Sequence, residues 1–404
     1  MINIASVTQD TVWIGANDRR IALFENLFPL TNGVSYNSYM ISDGQTALFD
    51  TCDIAVAEQY YENLRAALGE KKPDYLIILH MEPDHCSQIA TVAALYPELT
   101  LVGNAKTFTM LNQFFPETAG LKRIEVKEGD TLTVGKHTLH FVMAPMVHWP
   151  EAMFAYDDAT KTLFSADAFG TFGAVDGSIY ADEIDFKTRY LDEARRYYAN
   201  IVGKYGMQVQ AVLKTAAGLA IETICPLHGP VWRADGKDAD IAWFIEKYDK
   251  WSRYEPEDDG ILVIYGSLYG HTASAAAAVA AKLRAGTSRE VRVYDVSETH
   301  SSYLVGEIWR CGTVVLCSPT YNNGIYLPMH ALLHDLEALG LKNRKFALVE
   351  NGTWAPAAGK LMREELAKLK DCTVLEETLT IKSALHAADE ERVQAFADAV
   401  LKMI

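Results

Sequence analysis

The chain has 404 residues, 49% of them hydrophobic, with 37 basic and 53 acidic side chains giving a formal net charge of −16. That length predicts two or three domains, each large enough to bury its own core. The acidic balance argues against nucleic acid, whose phosphates need clustered Lys and Arg, and no run approaches the ~18 apolar residues of a membrane helix.

The first half mixes strands at 36–41, 46–49, 99–102 and 138–143 with helices at 55–68 and 191–202. The strands follow one another without a regular βαβ beat, which predicts a two-sheet sandwich with outer helices. The aliphatic strand at 75–79 runs directly into His80-Met81-Glu82-Pro83-Asp84-His85-Cys86, placing two imidazoles and two carboxylates on the loop that leaves it. The nitrogen and oxygen pairs His80/Glu82 and Asp84/His85 suit two borderline or hard first-row cations, so a dinuclear metal site is expected. Three further candidate ligands, His148, Asp167 and His228, each end an apolar or strand-like segment, where a layered α/β scaffold delivers side chains to a shared edge. His137 and His140 lie on a strand and take the structural reading, as do His300, His330, His334 and His386, which have no matching ligand set. Cys86 and Cys225 flank ligands as small packing residues.

Around Trp251-Ser252-Arg253-Tyr254-Glu255-Pro256-Glu257-Asp258-Asp259-Gly260 the texture changes to a short exposed connection, which sets the domains at 1–252 and 258–404. Beyond it strands at 261–265, 291–296, 313–317, 346–349 and 373–380 alternate with helices at 272–284, 329–339, 359–369 and 389–403. This pattern predicts a doubly wound parallel sheet. Ser267, Leu268, Tyr269, Gly270, His271 and Thr272 leave the first strand and open a helix, where backbone N–H groups and the helix dipole hold a phosphate. Two more loops follow later strands at the same sheet edge: Pro319, Thr320, Tyr321, Asn322, Asn323 and Gly324, then Asn351, Gly352, Thr353 and Trp354. No Gly-Lys-Ser or Gly-Lys-Thr is present, which excludes a nucleotide-triphosphate P-loop. Six cysteines at 52, 86, 225, 311, 317 and 372 form no C-x-x-C pair, so neither a structural zinc site nor a rubredoxin-type centre is encoded, and reduced thiols fit a soluble cytoplasmic protein. The N-terminus, Met1-Ile2-Asn3-Ile4-Ala5-Ser6, carries no basic-then-apolar leader.

The order His-x-Glu-x-Asp-His, then His, Asp and His, followed by three flavin-type loops, resembles the flavodiiron proteins over essentially the whole chain. The resemblance implies an N-terminal metallo-β-lactamase-like αββα sandwich and a C-terminal flavodoxin-like domain, combining α/β with α+β architecture. It assigns His80, Glu82 and His148 to one iron, Asp84, His85 and His228 to the other, and Asp167 to the bridge. The three loops match FMN-binding loops, with Tyr321 and Trp354 against the isoalloxazine. Most hydrolytic relatives have His where this chain has Glu82, and the hard carboxylate shifts the expectation from zinc to iron. The implied activity is reduction of O2 to water and of NO to N2O, protecting against oxygen or nitrosative stress. The alternative is a zinc hydrolase with an electron-carrying flavodoxin domain. The resemblance further implies a head-to-tail homodimer, or a dimer of dimers. The chain ends at Ile404 directly after the flavodoxin-like stretch, so an external donor is expected, rubredoxin first and a deazaflavin-type donor second. Some relatives carry a histidine close to the metals near Phe24-Glu25-Asn26-Leu27-Phe28-Pro29, which this chain lacks; Tyr197 and Tyr198 are candidates for a hydrogen bond there, with a core role as the alternative.

Overall fold

The strand-forming segments of the first half pair into two sheets. One runs in the order Ala5–Ser6, Thr11–Trp13, Tyr39–Ser42, Thr46–Phe49, Tyr75–Ile77, Thr100–Gly103, Arg123–Glu125. The other runs Thr131–Val134, His137–Met143, Met153–Asp157, Thr162–Phe164, Thr223–Cys225, Trp232–Arg233. Their inner faces meet where Phe49 stacks on Phe164 with ring centroids 3.8 Å apart and Tyr39 meets the same ring edge-on. Such aromatic contacts bury large apolar areas and fix the sheet-to-sheet register. Helices cover the outside: Ala57–Leu68 buries Tyr60, Leu64 and Leu68, and Ile241–Ser252 stacks Phe244 on Trp232 at 3.8 Å. The computed structural model describes residues 2–175, 177–234 and 239–404.

The second half forms a parallel sheet in the order Val291–Asp295, Asp258–Tyr265, Cys311–Tyr321, Lys345–Asn351, Thr373–Ile381. Numbered along the chain this order is 2-1-3-4-5, with the topological switch beside the first strand, the position where doubly wound sheets bind ligands. Helix His271–Gly286 packs Ala275, Ala276, Val279 and Leu283 into the core; its alanines let it lie close against the sheet.

The chain divides into two units, Met1–Tyr197 with Met207–Asp249, and Tyr198–Gly206 with Lys250–Ile404. The expected helix at 191–202 is therefore two pieces, an α-helix at Leu191–Tyr197 and a wider π-turn at Tyr198–Val202. The second piece belongs to the later unit, where Tyr198 packs against Trp251 with the rings tilted by 40° and Asn200 donates to the Ser302 carbonyl. The strand expected at 36–41 is also interrupted: Val34–Tyr36 pairs with Ala16–Asp18, and Tyr39–Ser42 pairs with Thr11–Trp13. The expected first strand of the later sheet begins earlier, at Asp258 within the acidic run. Helix Ser301–Arg310 was not expected, although Leu304, Val305, Ile308 and Trp309 recur at helical spacing, with Glu307 and Arg310 off that stripe. Both are buried, paired with each other at 3.0 Å, and Arg310 also meets Asp258 and Glu290.

That helix ends on Arg344. The guanidinium is buried and donates to the carbonyls of Ile308 and Tyr254 (both 2.6 Å), Trp309, Asn343 and Lys342. It therefore satisfies the helix C-terminus and the connecting segment at once, a fork that a lysine ammonium does not reproduce. Each buried carbonyl left without a donor costs about 1–3 kcal/mol. Arg344→Met is expected to lower the stability of the later unit by at least ~3 kcal/mol, read as a reduced urea midpoint; an unchanged midpoint would show that the clamp is dispensable.

Candidate metal centre and flavin loops

Register delivers the metal-site side chains to one edge of the sandwich. Phe164 and Cys225 are paired across the second sheet, so Asp167 and His228 each emerge three residues beyond the same level. Phe49 and Ile77 are paired in the first sheet, and His80 follows the latter. Met143 pairs with Met153, and His148 lies in the connection between them. The motif expected as a plain loop contains one helical turn, Pro83–Cys86, with proline at its start. Glu82 occupies the N-cap but makes no capping hydrogen bond, its carboxylate being turned towards His80 and His148.

All seven expected ligands come together in two groups: His80, Glu82, His148 and Asp167, then Asp84, His85 and His228. Asp167 Oδ2 lies 3.2 Å from His80 Nε2 and 3.0 Å from His148 Nε2, while Oδ1 lies 3.1 Å from His85 Nε2. One carboxylate thus faces both groups. Glu82 Oε2 is 3.0 Å from His148 Nε2, and Asp84 Oδ2 is 3.2 Å from His228 Nε2. His85 and His228 bring their Nε2 atoms within 3.0 Å of each other. Among the described residues both Asp84 oxygens and Asp167 Oδ1 are buried without a hydrogen-bond partner, and within each group the ligand atoms lie within 4.8 Å of one another. Unpartnered buried anionic oxygens beside converging imidazole nitrogens form a donor set suited to cations. The residues fit two metal ions.

Burial opposes charge at His85 and His148, yet facing carboxylates lift both to about 9; Asp84 and Asp167 dominate at His85, Asp167 and Glu82 at His148. His80 is also raised, Asp167 being its main opposing partner to burial. Burial works against the Glu82 and Asp167 carboxylates, and the same histidines outweigh it and hold both well below the usual range. These imidazoles and carboxylates thus offset one another's charge.

Contacts behind the ligands escaped the sequence reading. Glu151, buried, accepts from His80 Nδ1 and the Met81 N–H, both at 2.9 Å. Asp50 accepts from the N–H groups of Leu79 (2.9 Å) and His80 (3.2 Å), and burial pushes its carboxyl up to about 7. His228 Nδ1 donates to the Ser35 carbonyl at 2.8 Å, which leaves Nε2 bare towards the cluster. Asn37 ties the same loop by donating to the carbonyls of Pro226 and Gly229, both 2.8 Å. The only available signals were an acid three residues after His148 and another closing the strand at 46–49. Of the two tyrosines, Tyr197 lies at the site, its ring 5.7 Å from that of His228, whereas Tyr198 does not. Phe24, in the hairpin Leu23–Phe24/Phe28–Pro29, packs edge-on against His228 at 5.3 Å. His137 and His140 pair with Asp157 (2.8 Å) and Asp158 (2.7 Å), outside both groups.

In the later unit the three loops surround a cavity of about 710 Å³. Its lining includes Ser267, Leu268, Tyr269, His271, Thr272, Pro319, Thr320, Tyr321, Asn322, Asn323, Asn351, Gly352, Thr353 and Trp354, with Ala355 at the end of the third loop and the unexpected Ser383. Gly270 and Gly324 shape the loops without lining the cavity. Gly270 has φ 89°, a left-handed conformation that precedes the helix, and its N–H donates to Ser267 Oγ at 3.0 Å. Gly324 pairs with Tyr321 across the Asn322-Asn323 turn. Asn351 joins the loops, its amide donating to the Ser383 carbonyl at 3.0 Å and its oxygen accepting from the Ser383 N–H at 3.1 Å. His271 is exposed and faces the cavity; no Lys, Arg, Asp or Glu is among the lining residues. Tyr269 and Trp354 are 89% and 87% exposed, leaving two aromatic faces open to a flat ring.

A β-lactamase-like sandwich bearing two histidine and carboxylate groups, with one aspartate facing both, joined in one chain to a flavodoxin-like sheet, defines the class of two-domain metalloflavoproteins. Residues 34–229 match the family model of the ODP family beta lactamase and residues 263–396 that of flavodoxin. The nitric oxide reductase of Moorella thermoacetica is 30% identical over 391 residues, covering 96% of this chain and 95% of that protein. Among solved structures, the rubredoxin oxygen:oxidoreductase of Desulfovibrio gigas superimposes with a TM-score of 0.92 at 26% identity, covering 99% of this chain and 98% of that one. The flavodiiron protein from Giardia intestinalis gives 0.91 at 25% identity, covering 100% and 98%. The chain belongs to the flavodiiron protein family.

The titration state of the ligands makes metal uptake pH-dependent. His85 and His148 hold protons up to about 9 in the metal-free site and must release them to bind an ion. Metal affinity is therefore expected to climb between pH 6.5 and 9 and to level off above it, with protons released on zinc titration of the metal-free protein. A flat affinity across that range would contradict this charge balance.

Proposed function

We propose that the chain is a cytoplasmic reductase of O2, NO or both, using FMN and a non-haem diiron centre. In this reading, residues 1–252 form the diiron domain and residues 258–404 the FMN domain. The observation that carries it is Asp167, whose two oxygens face two separate ligand groups in a chain that also holds a flavin-sized cavity. Hydrolysis needs no flavin, and flavin electron carriage needs no second metal domain. Their combination in a flavodiiron family member supports gas reduction, with a role in oxygen or nitrosative stress.

His80, Glu82 and His148 would hold one iron, Asp84, His85 and His228 the other, with Asp167 between them. The irons supply adjacent binding positions for the gas and electrons for bond cleavage. The reactions balance as O2 with four electrons and four protons giving two waters, or two NO with two electrons and two protons giving N2O and water. The chain's own residues prepare the site. Glu151, Ser35 and Asp50 orient the ligand set, and Phe24 with Tyr197 encloses the His228 side in aromatic surface that limits water. In the later unit, Ser267, Thr272 and the backbone N–H groups between them would take the FMN phosphate, while Tyr321, Tyr269 and Trp354 flank the ring.

Electrons would come from a separate donor, rubredoxin first. A head-to-tail homodimer, alone or paired into a tetramer, would set the flavin of one chain against the irons of its partner. Among the described residues no helix is long and apolar enough to cross a membrane.

Anaerobically purified protein is expected to contain about two irons and one FMN per chain, and stopped-flow mixing of the reduced form with O2 and with NO ranks the substrates by the rate of flavin reoxidation. Stoichiometric zinc with an inert flavin would replace the reading by a hydrolase. Glu82→Ala and Asp167→Ala are each expected to abolish turnover with FMN still bound; retained turnover would remove the diiron assignment.

A further inference from the structure

The two ligand groups are backed by different chemistry. His80 donates through Nδ1 to the Glu151 carboxylate at 2.9 Å. His228 donates through Nδ1 to a neutral carbonyl, that of Ser35, at 2.8 Å. His85 Nδ1 is buried with no hydrogen-bond partner among the described residues. A carboxylate on the far nitrogen makes an imidazole a stronger electron donor and fixes its ring orientation; a carbonyl fixes the orientation with far less charge.

Glu151 is built into this position. Its side chain is 0% exposed, and Asn104 Nδ2 donates to its backbone carbonyl at 2.6 Å, which anchors the residue. Oε1 takes both the His80 ring and the Met81 N–H, while Oε2 is buried without a hydrogen-bond partner among the described residues. The His80 imidazole is thus the side-chain partner that answers the charge at Oε1. The enclosed electrostatics add to this: the carboxylates of Glu82, Asp84 and Asp167 would leave one positive charge on two divalent ions, and Glu151 opposes it through a direct bond to the His80 ring, whereas the buried Asp50 accepts from backbone N–H groups.

We propose that Glu151 is a positioning residue that makes the two metal positions unequal. Through His80 it holds the ion of the His80, Glu82 and His148 group more tightly and at lower reduction potential than the ion of the Asp84, His85 and His228 group. The latter ion accordingly accepts an electron first. This inference rests on the dinuclear reading proposed above.

The test compares wild type with Glu151→Gln, which keeps an oxygen acceptor for His80 but removes the charge, and with Glu151→Asp, which keeps the charge. Chelator competition is run on the iron-loaded and zinc-loaded forms, and the iron form is followed by Mössbauer spectroscopy through a reductive titration. Wild type is expected to release its ions in two steps and to reduce one iron before the other. In Glu151→Gln the affinity for the tighter ion is expected to fall about 10–100-fold and the two reductions to converge, with Glu151→Asp restoring the separation at least in part. Equal loss at both ions, or two-step behaviour unchanged in Glu151→Gln, overturns the proposal. A wild type that takes no iron but releases two zinc ions unequally removes the diiron function and leaves the role of Glu151 standing. Binding of a single ion removes both.

Discussion

The structure of the first unit turns on a crowd of charges buried at the end of a β-sandwich. Three carboxylates and four imidazoles occupy a region nearly closed to water, with Asp167 1% and His85 0% exposed. An isolated charge in such surroundings is prohibitively costly, so every one must be neutralised locally. The facing groups meet that demand in part, the carboxylates raising His85 and His148 and the histidines lowering Asp167. Two divalent cations also answer the Asp84 oxygens and Asp167 Oδ1, which have no hydrogen-bond partner among the described residues.

That arrangement explains why so much of the unit is rigid framework. The stacked Phe49 and Phe164 lock the two sheets, and register then fixes where their chain ends emerge. Asp50 grips the backbone where the motif begins, and Ser35 with Asn37 grips the loop that carries His228. The segment 33–39, otherwise an interrupted strand, is thus the clamp on one ligand loop. Strand continuity has been given up at Asn37 in favour of two side-chain hydrogen bonds to that loop.

The later unit solves a different electrostatic problem. No lysine, arginine or carboxylate lines its cavity, so a bound phosphate must rely on backbone amides, hydroxyls, the start of helix His271–Gly286 and His271. Asn351 couples its loop by paired hydrogen bonds to Ser383, a residue from a fourth loop that sequence reading did not reach. The contact spans 32 residues and depends on the last strand lying beside its predecessor.

The amino-acid sequence by itself determined the chemistry of the ligands and the alternation of the later sheet, because both are local: a motif of six consecutive positions after an apolar run, and a regular strand and helix beat. The loop residues around the flavin cavity were legible for the same reason. Tertiary structure alone decided that Glu151 stands behind His80, across 71 residues, and that Asp167 faces both groups at once. It also decided that 198–206 joins the later unit and that Glu307 and Arg310 of the helix at 301–310 are buried as a pair. Those outcomes depend on which strands pair and which buried charges find partners, and pairing energies become available only when distant segments have been brought together.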